Sequence, residues 1–482
     1  MKKYKYIYLF AASASLLLAT ASCNKTKLNP ASSTSVPDDV KFATADRVEH
    51  LVNGLYSNIK TGNLWGGRYL IYNDVRGENF INETNNVVTA LAIWNFTVTG
   101  SDNEINSTWN DGYAAINQVN IFLAGMAEKG NAVVGDDLAK QYAGEAKFIR
   151  ALAYYTLVQL YAQPYINGNG SQPGLPLRLT PITTAGSNNL ARSSVADVYK
   201  QILQDLNDAE TALPDTYDDA QLNTTRAHRS TAIALKTKVY LTMTQYDNVI
   251  TEANKIVSAG APFHTEFGVE HALATDIVNV FSAYTTTESI FSAPFTGANE
   301  QPGTQNQLAY YYLPDLGNGE FSLNDDGVIS DPGWKSTDAR RSFVTTDGDG
   351  VSWLTKYPTG SPYTDWAPVI RYSEILLDLA EARARSTNSV DAQAIVLLNA
   401  VRHRSDPTTT FTAGDFANAA ALENAILQER NIEFLGEGVR GLDITRLGLT
   451  FIKKGSAAAV APSDPGYIFP APTSETQYNT SW

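Results

Sequence analysis

Cysteine is almost absent: one residue, Cys23, in 482. With a single thiol there is no intramolecular disulfide framework and no cysteine-based zinc site. Histidine is scarce too, and His50, His228, His264, His271 and His403 are scattered without metal-ligand spacing. No G-x-S-x-G, H-E-x-x-H or phosphate-binding loop occurs, which removes the common hydrolase, metalloprotease and nucleotide-binding signatures. Basic residues are outnumbered, 36 Lys and Arg against 50 Asp and Glu, for a formal charge of −14. Such a balance argues against nucleic acid and anionic lipid surfaces, whose phosphates need clustered Lys and Arg. Beyond the first 22 residues no apolar run reaches the ~18 needed to cross a bilayer.

The beginning of the chain is different. Lys2, Lys3 and Lys5 precede an apolar stretch from Tyr6 to Ala19, then Thr20-Ala21-Ser22 and Cys23. This is the layout of an export signal over 1–22 rather than of a spanning helix. Leu17-Leu18-Ala19-Thr20-Ala21-Ser22-Cys23 also resembles a bacterial lipobox, which makes Cys23 the expected lipidation site. Removal of the signal takes three lysines and leaves 460 residues, more than one hydrophobic core usually organises, so a large helical array or two closely packed lobes is expected.

Helical patterning appears in long blocks. Thr44–Lys60 carries Val48, Leu51, Leu55 and Ile59 at helical spacing, and Trp109–Met126 follows the same rule, with Trp109 read as a core residue. Ala143–Ala162 is apolar on most sides, as in a helix buried within an array. Ser194-Val195-Ala196-Asp197 reads as a capping box opening a helix to about Leu213. Thr231–Thr244 and Asn248–Ser258, joined by a tight turn at Gln245-Tyr246-Asp247, resemble a tetratricopeptide helix pair, and Val369–Arg385 with Val390–Arg404 repeats it. The expected fold is therefore mainly α: a tetratricopeptide-like scaffold of helical pairs with long irregular loops and a few short strands.

Three segments have no such pattern: Thr61–Asp102, Gln163–Arg192 and Ala261–Pro368. Each is longer than an ordinary connection, which points to functional loops. The last is rich in aromatic residues, and its Asp347-Gly348-Asp349-Gly350 reads as a turn between short strands; an EF-hand would need further ligands and a Glu at its twelfth position. The expected organisation is an N-terminal helical region, 23–260, and a C-terminal region, 261–482, with a loop-rich insertion over 261–368. No metal or cofactor is expected.

Several motifs resemble the SusD/RagB family of Bacteroidetes outer-membrane lipoproteins. Glu145-Ala146-Lys147-Phe148-Ile149-Arg150-Ala151-Leu152-Ala153-Tyr154-Tyr155 through Leu160-Tyr161 is similar to one family helix. Pro368-Val369-Ile370-Arg371-Tyr372 through Ala380-Glu381-Ala382, followed by Leu398-Asn399-Ala400-Val401-Arg402, is similar to another. Glu429-Arg430-Asn431-Ile432-Glu433-Phe434, Gly436-Glu437-Gly438-Val439-Arg440-Gly441-Leu442-Asp443 and Arg446 resemble its C-terminal signature, Phe469-Pro470-Ala471-Pro472 its ending, and Leu55-Tyr56 its start. Gly441 departs from the family, which usually has Trp there.

The resemblance implies a non-catalytic surface lipoprotein of the outer membrane that binds oligosaccharides, or in some branches peptides, and acts with a SusC-like TonB-dependent transporter. The residues agree, since sugars present C–H faces that stack on Trp and Tyr while their hydroxyls pair with Asn, Asp and Arg. The candidate platform joins Trp65, Arg68, Tyr72, Asp74, Asn85 and Trp94 to Tyr310, Tyr311, Tyr312 and Trp334. Two other classes stand beside it: a lipid-anchored glycoside hydrolase and a protein-binding adaptor. For the hydrolase the available carboxylates are Glu429, Glu433 and Glu437, four apart on one helical face. The interleaved Arg430, Arg440 and Arg446 would hold these ionised, whereas a catalytic acid needs a raised pKa, so they are read as an ion-pair network.

Overall fold

The structure, a computed structural model, describes residues 40–482 apart from 185, 187, 298–301 and 304. The export signal and Cys23 lie outside the described residues. Thr44 opens the first helix, α1 (Ala45–Ile59), by accepting the Arg47 amide on its hydroxyl, and α1 buries Val48, Val52, Leu55 and Ile59 on one face. After α2 (Arg68–Arg76) come the long helices α3 (Asn103–Gly125) and α4 (Asp136–Tyr161). Next is α5 (Val195–Ala212), capped by the Ser194 hydroxyl that the Asp197 amide reaches at 3.0 Å. The expected hairpin is formed by α6 (Arg229–Thr242) and α7 (Tyr246–Ala253). Beyond the short α8 (Leu308–Tyr312) lie α9 (Tyr372–Thr387), α10 (Ala392–Ser405), α11 (Ala419–Glu433) and α12 (Arg440–Arg446).

These helices pack in sequence: α3 on α4, α4 on α5, α5 on α6, α6 on α7, α7 on α9, and α9 on both α10 and α11. That serial stacking of antiparallel pairs is the expected helical-pair scaffold. One apolar cluster runs through it from Phe42 to Phe469. Among the described residues no helix is long and apolar enough to cross a membrane.

Strands are few and paired two by two. The strand β1 (Phe80–Asn82) pairs with β3 (Phe321–Leu323), β2 (Ser289–Ala293) with β6 (Ala367–Arg371), and β4 (Val344–Thr346) with β5 (Ser352–Leu354), all antiparallel. The last pair is the hairpin expected around Asp347–Gly350, and the Asp347 carboxylate accepts the Asp349 and Val351 amides and the Trp353 indole N–H. The β1–β3 pair joins the first long irregular segment to the third.

Two readings of the sequence are corrected. Val369–Arg371 belong to β6, not to the helix after it: Pro368 and the β-branched Val369-Ile370 favour the extended partner of β2. Within Thr61–Asp102 lies a helix, α2, all nine of whose residues are buried. A helix buried on every side shows no one-sided periodicity, so its polar members disguised it. Gly441 has a structural reason as well: a β-carbon there would stand 2.2 Å from the Asn73 carbonyl oxygen, so α12 can approach α2 only with glycine at this point.

The three carboxylates are ion-paired as expected, but not by the interleaved arginines, and Glu437 lies beyond the end of α11: Arg430 turns to Asp378 and Asp443, Arg440 to Glu78, and Arg446 to Glu381 and Asp443. Glu429 pairs with Arg340 at 2.7 Å and with Arg402; Glu433 with Arg340 at 2.9 Å, Arg371 at 2.8 Å and Arg404; Glu437 with Arg371 at 2.7 Å and Lys356 at 2.8 Å. Burial would raise the Glu433 carboxyl, but Arg404, Arg371 and Arg340 outweigh it and hold it well below the usual carboxylate range.

Candidate functional site

Between α1 and α2 the chain makes a compact turn from Thr61 to Gly67. The Leu64 and Gly66 amides donate to the Thr61 carbonyl and the Arg68 amide donates to that of Gly62. Two glycines in this turn allow the segment around Asn306 to lie directly on it. A β-carbon on Gly62 would meet the Pro302 carbonyl oxygen at 2.2 Å, and one on Gly67 would meet that of Asn306 at 1.7 Å. The approach leaves an open cleft of about 510 Å³ walled by the turn (Asn63, Arg68), the start of α3 (Asn103, Ser107) and the third segment (Gly303, Gln305, Asn306, Tyr310).

This cleft is polar. Asn63 is fixed by donating its amide N–H to Asp111 at 2.9 Å while its carbonyl accepts from Arg68 at 3.3 Å. Arg68 donates further to the Gln305 carbonyl at 3.4 Å and the Val88 carbonyl at 3.2 Å. The Tyr311 hydroxyl holds the same Gln305 carbonyl at 2.7 Å from beneath. Tyr310 is half-buried at the wall, its ring edge-on to Tyr311 and Tyr363. Amide, hydroxyl and guanidinium groups beside one accessible aromatic ring form a suitable lining for a polyhydroxylated ligand.

Of the ten candidate platform residues, the structure brings Arg68 and Tyr310 to this cleft. Tyr311 and Tyr312 are fully buried; Tyr312 stacks on Phe80 with centroids 5.1 Å apart and donates to Asp74. Tyr72 is also fully buried, and Asp74 accepts the Gly438 amide. Burial pushes the Asp74 carboxyl up to about 8, against the opposing pull of the Gly438 amide. Trp94 is buried with its indole N–H on the Phe80 carbonyl, and Trp334 is buried under the Arg341 guanidinium, 4.1 Å from its ring. Asn85 is exposed on the neighbouring loop in the left-handed region, with φ 53°. The platform as a row of exposed rings is thus revised: Tyr72, Trp94, Tyr311, Tyr312 and Trp334 are buried, and burial leaves them no face to offer. Asn63, Asn103, Ser107, Gln305 and Asn306 were not singled out from sequence. The i, i+4 spacing of Asn103 and Ser107 at a helix start was the one local signal available.

Trp65 faces elsewhere. Its indole donates to the Thr156 hydroxyl at 2.9 Å and its ring borders a second, less open cavity of about 290 Å³ with Tyr56, Lys60, Arg226 and Phe291. That cavity is mainly apolar, and its Arg226 is already engaged by Glu145 at 2.8 Å. Among the described residues no group of three or more His, Cys, Asp or Glu is placed to hold a metal ion.

Comparison with known proteins follows the same outline. A family model described as starch-binding, associating with the outer membrane, matches residues 28–241, and the SusD family model matches residues 350–480. A crystal structure of a SusD superfamily protein from Bacteroides fragilis superposes with a TM-score of 0.81 at 35% identity, covering 91% of this chain and 99% of that one. A SusD-like carbohydrate binding protein from Bacteroides vulgatus shares the fold at 18% identity, with a TM-score of 0.75 over 91% of this chain and 97% of its own. The SusD-like protein P2 of Formosa agariphila is 25% identical over 93% of this chain and 91% of its own length.

Proposed function

The chain belongs to the SusD/RagB family, and from that premise we propose that it is a non-catalytic surface lipoprotein that captures oligosaccharides in the Arg68–Tyr310 cleft and passes them to a SusC-like TonB-dependent transporter. The observation that carries this reading is the cleft itself: about 510 Å³ of open space with polar donors and acceptors around one half-buried tyrosine ring. A non-catalytic role is supported by the state of the carboxylates. Glu429, Glu433 and Glu437 are buried in ion pairs, none lines the cleft, and Glu433 is held far from the raised pKa that a glycosidic acid needs.

The test is a binding screen of the chain against oligosaccharides and peptides, with product analysis alongside. One glycan class should bind without being cleaved, and Tyr310→Ala should weaken it by about tenfold or more, ~1.4 kcal/mol, with the fold retained. Turnover, or binding that ignores Tyr310→Ala, counts against the proposal. Anchoring through Cys23 is checked separately: Cys23→Ala should move the protein from the membrane fraction to the soluble one, and retention in membranes would count against lipidation.

A further inference from the structure

Arginines in this protein are buried in company. Arg150 meets Asp205 at 2.7 Å, Arg226 meets Glu145 at 2.8 Å, and Arg340, Arg371, Arg402, Arg430 and Arg446 all pair with carboxylates. Arg76 is one exception, and it is enclosed by aromatic rings, with Phe451 4.6 Å away. Arg68 is the other. It is 5% exposed, yet among the described residues no carboxylate lies within salt-bridge distance of it. It donates to three neutral oxygens at 3.2–3.4 Å, longer than the ~2.7–2.9 Å of a charge-assisted bond, and a further polar neighbour is the neutral Tyr311 hydroxyl. A guanidinium cannot shed its proton to escape this position.

The surroundings add to the positive field. Among the described residues no Asp or Glu lines the cleft. Arg68 is the first residue of α2 and Asn103 the first of α3, so the positive ends of a nine-residue and a 23-residue helix both meet the cleft, neither capped by a side chain. Asp102 and Glu104 stand at the start of α3 and Asp111 holds Asn63, but none of the three forms an ion pair with Arg68; burial raises the Glu104 carboxyl while the charge of Arg68 pulls it down. Arginines that bind neutral sugars can be balanced by a carboxylate of the protein. Here, among the described residues, no carboxylate pairs with Arg68.

Resting on the glycan-capture reading, we propose that this cleft selects oligosaccharides bearing an anionic group, a carboxylate or a sulfate ester, which sits opposite the Arg68 guanidinium. A planar carboxylate or a sulfate can accept two parallel N–H bonds from it, which a hydroxyl cannot match.

The experiment uses matched pairs of oligosaccharides with the full-length chain in detergent: oligogalacturonates against their methyl esters, and sulfated galactan oligomers against desulfated ones. At least one charged member should bind about tenfold or more tighter than its neutral partner, and its affinity should fall as NaCl rises from about 50 to 500 mM. Arg68→Gln should bring the charged-to-neutral ratio close to one, and Arg68→Lys should keep part of it. The two pairs separate a carboxylate requirement from a sulfate one. If neutral members bind as well as charged ones, or if Arg68→Gln leaves the ratio intact, the anion selection is wrong while glycan capture stands. If only acidic peptides bind, or nothing does, both proposals fall. Should Arg68→Gln fail to fold, the ester pairs and the salt series on the unaltered chain decide alone.

Discussion

Replacing Glu433 by alanine is expected to cost about 3–5 kcal/mol of stability, enough to leave little folded protein in a domain of ordinary marginal stability. Glu433 is 1% exposed and takes hydrogen bonds from Arg340, Arg371 and Arg404. Removing it takes one negative charge from a closed cluster: Arg340 keeps Asp338 and Glu429, Arg371 keeps Glu288 and Glu437, and Arg404 keeps only Glu288, so one buried positive charge is left unbalanced among them. The cost comes from stranding buried charge, and the net value of the intact network is a different and smaller quantity. Glu433→Gln, which keeps the shape and removes the charge, should be destabilised as well. The sign with pH follows from the depressed carboxyl: the contribution is fully present above the unfolded value of ~4.3 and is lost as the pH falls toward the folded one. Urea denaturation near neutral pH and near pH 3 measures both effects. A loss under ~1 kcal/mol for Glu433→Ala would mean the arginines find other partners and the network does not lock α11 to β6 and α10.

The second large effect separates three consecutive tyrosines. Tyr312→Ala should destabilise by about 3–5 kcal/mol, because it empties a fully buried space against Phe80 and Tyr357 and leaves the buried Asp74 carboxyl with the Gly438 amide but without the tyrosine hydroxyl. Tyr310→Ala should cost under ~1 kcal/mol, since its half-buried ring forms the cleft wall. Thermal unfolding of the two variants distinguishes them, and equal losses would remove Tyr310 from the site.

That contrast also shows where the sequence could be read and where it could not. Tyr310-Tyr311-Tyr312 reads as a platform if the segment is a loop. On α8 successive side chains turn by about 100°, so at most one of three neighbours can face a given cleft. Helices with one polar face, such as α1 and α5, were legible to within a few residues because burial on one side writes a period into the chain. The fully buried α2 left no such period. That the C-terminal carboxylates are ion-paired was legible from the alternation of Glu and Arg, but their partners Arg340, Arg371, Arg402 and Arg404 arrive from other elements and were not. The cleft was half legible: two of its three walls lie in the long irregular segments, with Arg68 and Tyr310 among the residues named, whereas the start of α3 fell between the segments read. Asn63 and Asn103 come together through the hydrogen bonds that tie the turn to Thr108 and Asp111 of α3, and Asn306 joins them through the close approach at Gly62 and Gly67, long-range contacts that no local pattern encodes.

The central claim is that ligand is held in the Arg68–Tyr310 cleft and left uncleaved. Hydrogen exchange of the chain with and without a glycan found by the screen tests it most directly. The account predicts slowed exchange over 62–69, 103–108 and 305–311, with the glycan recovered intact. Slowed exchange confined to 53–60, 222–226 and 291–294, around the second cavity, or cleavage of the glycan, would contradict it.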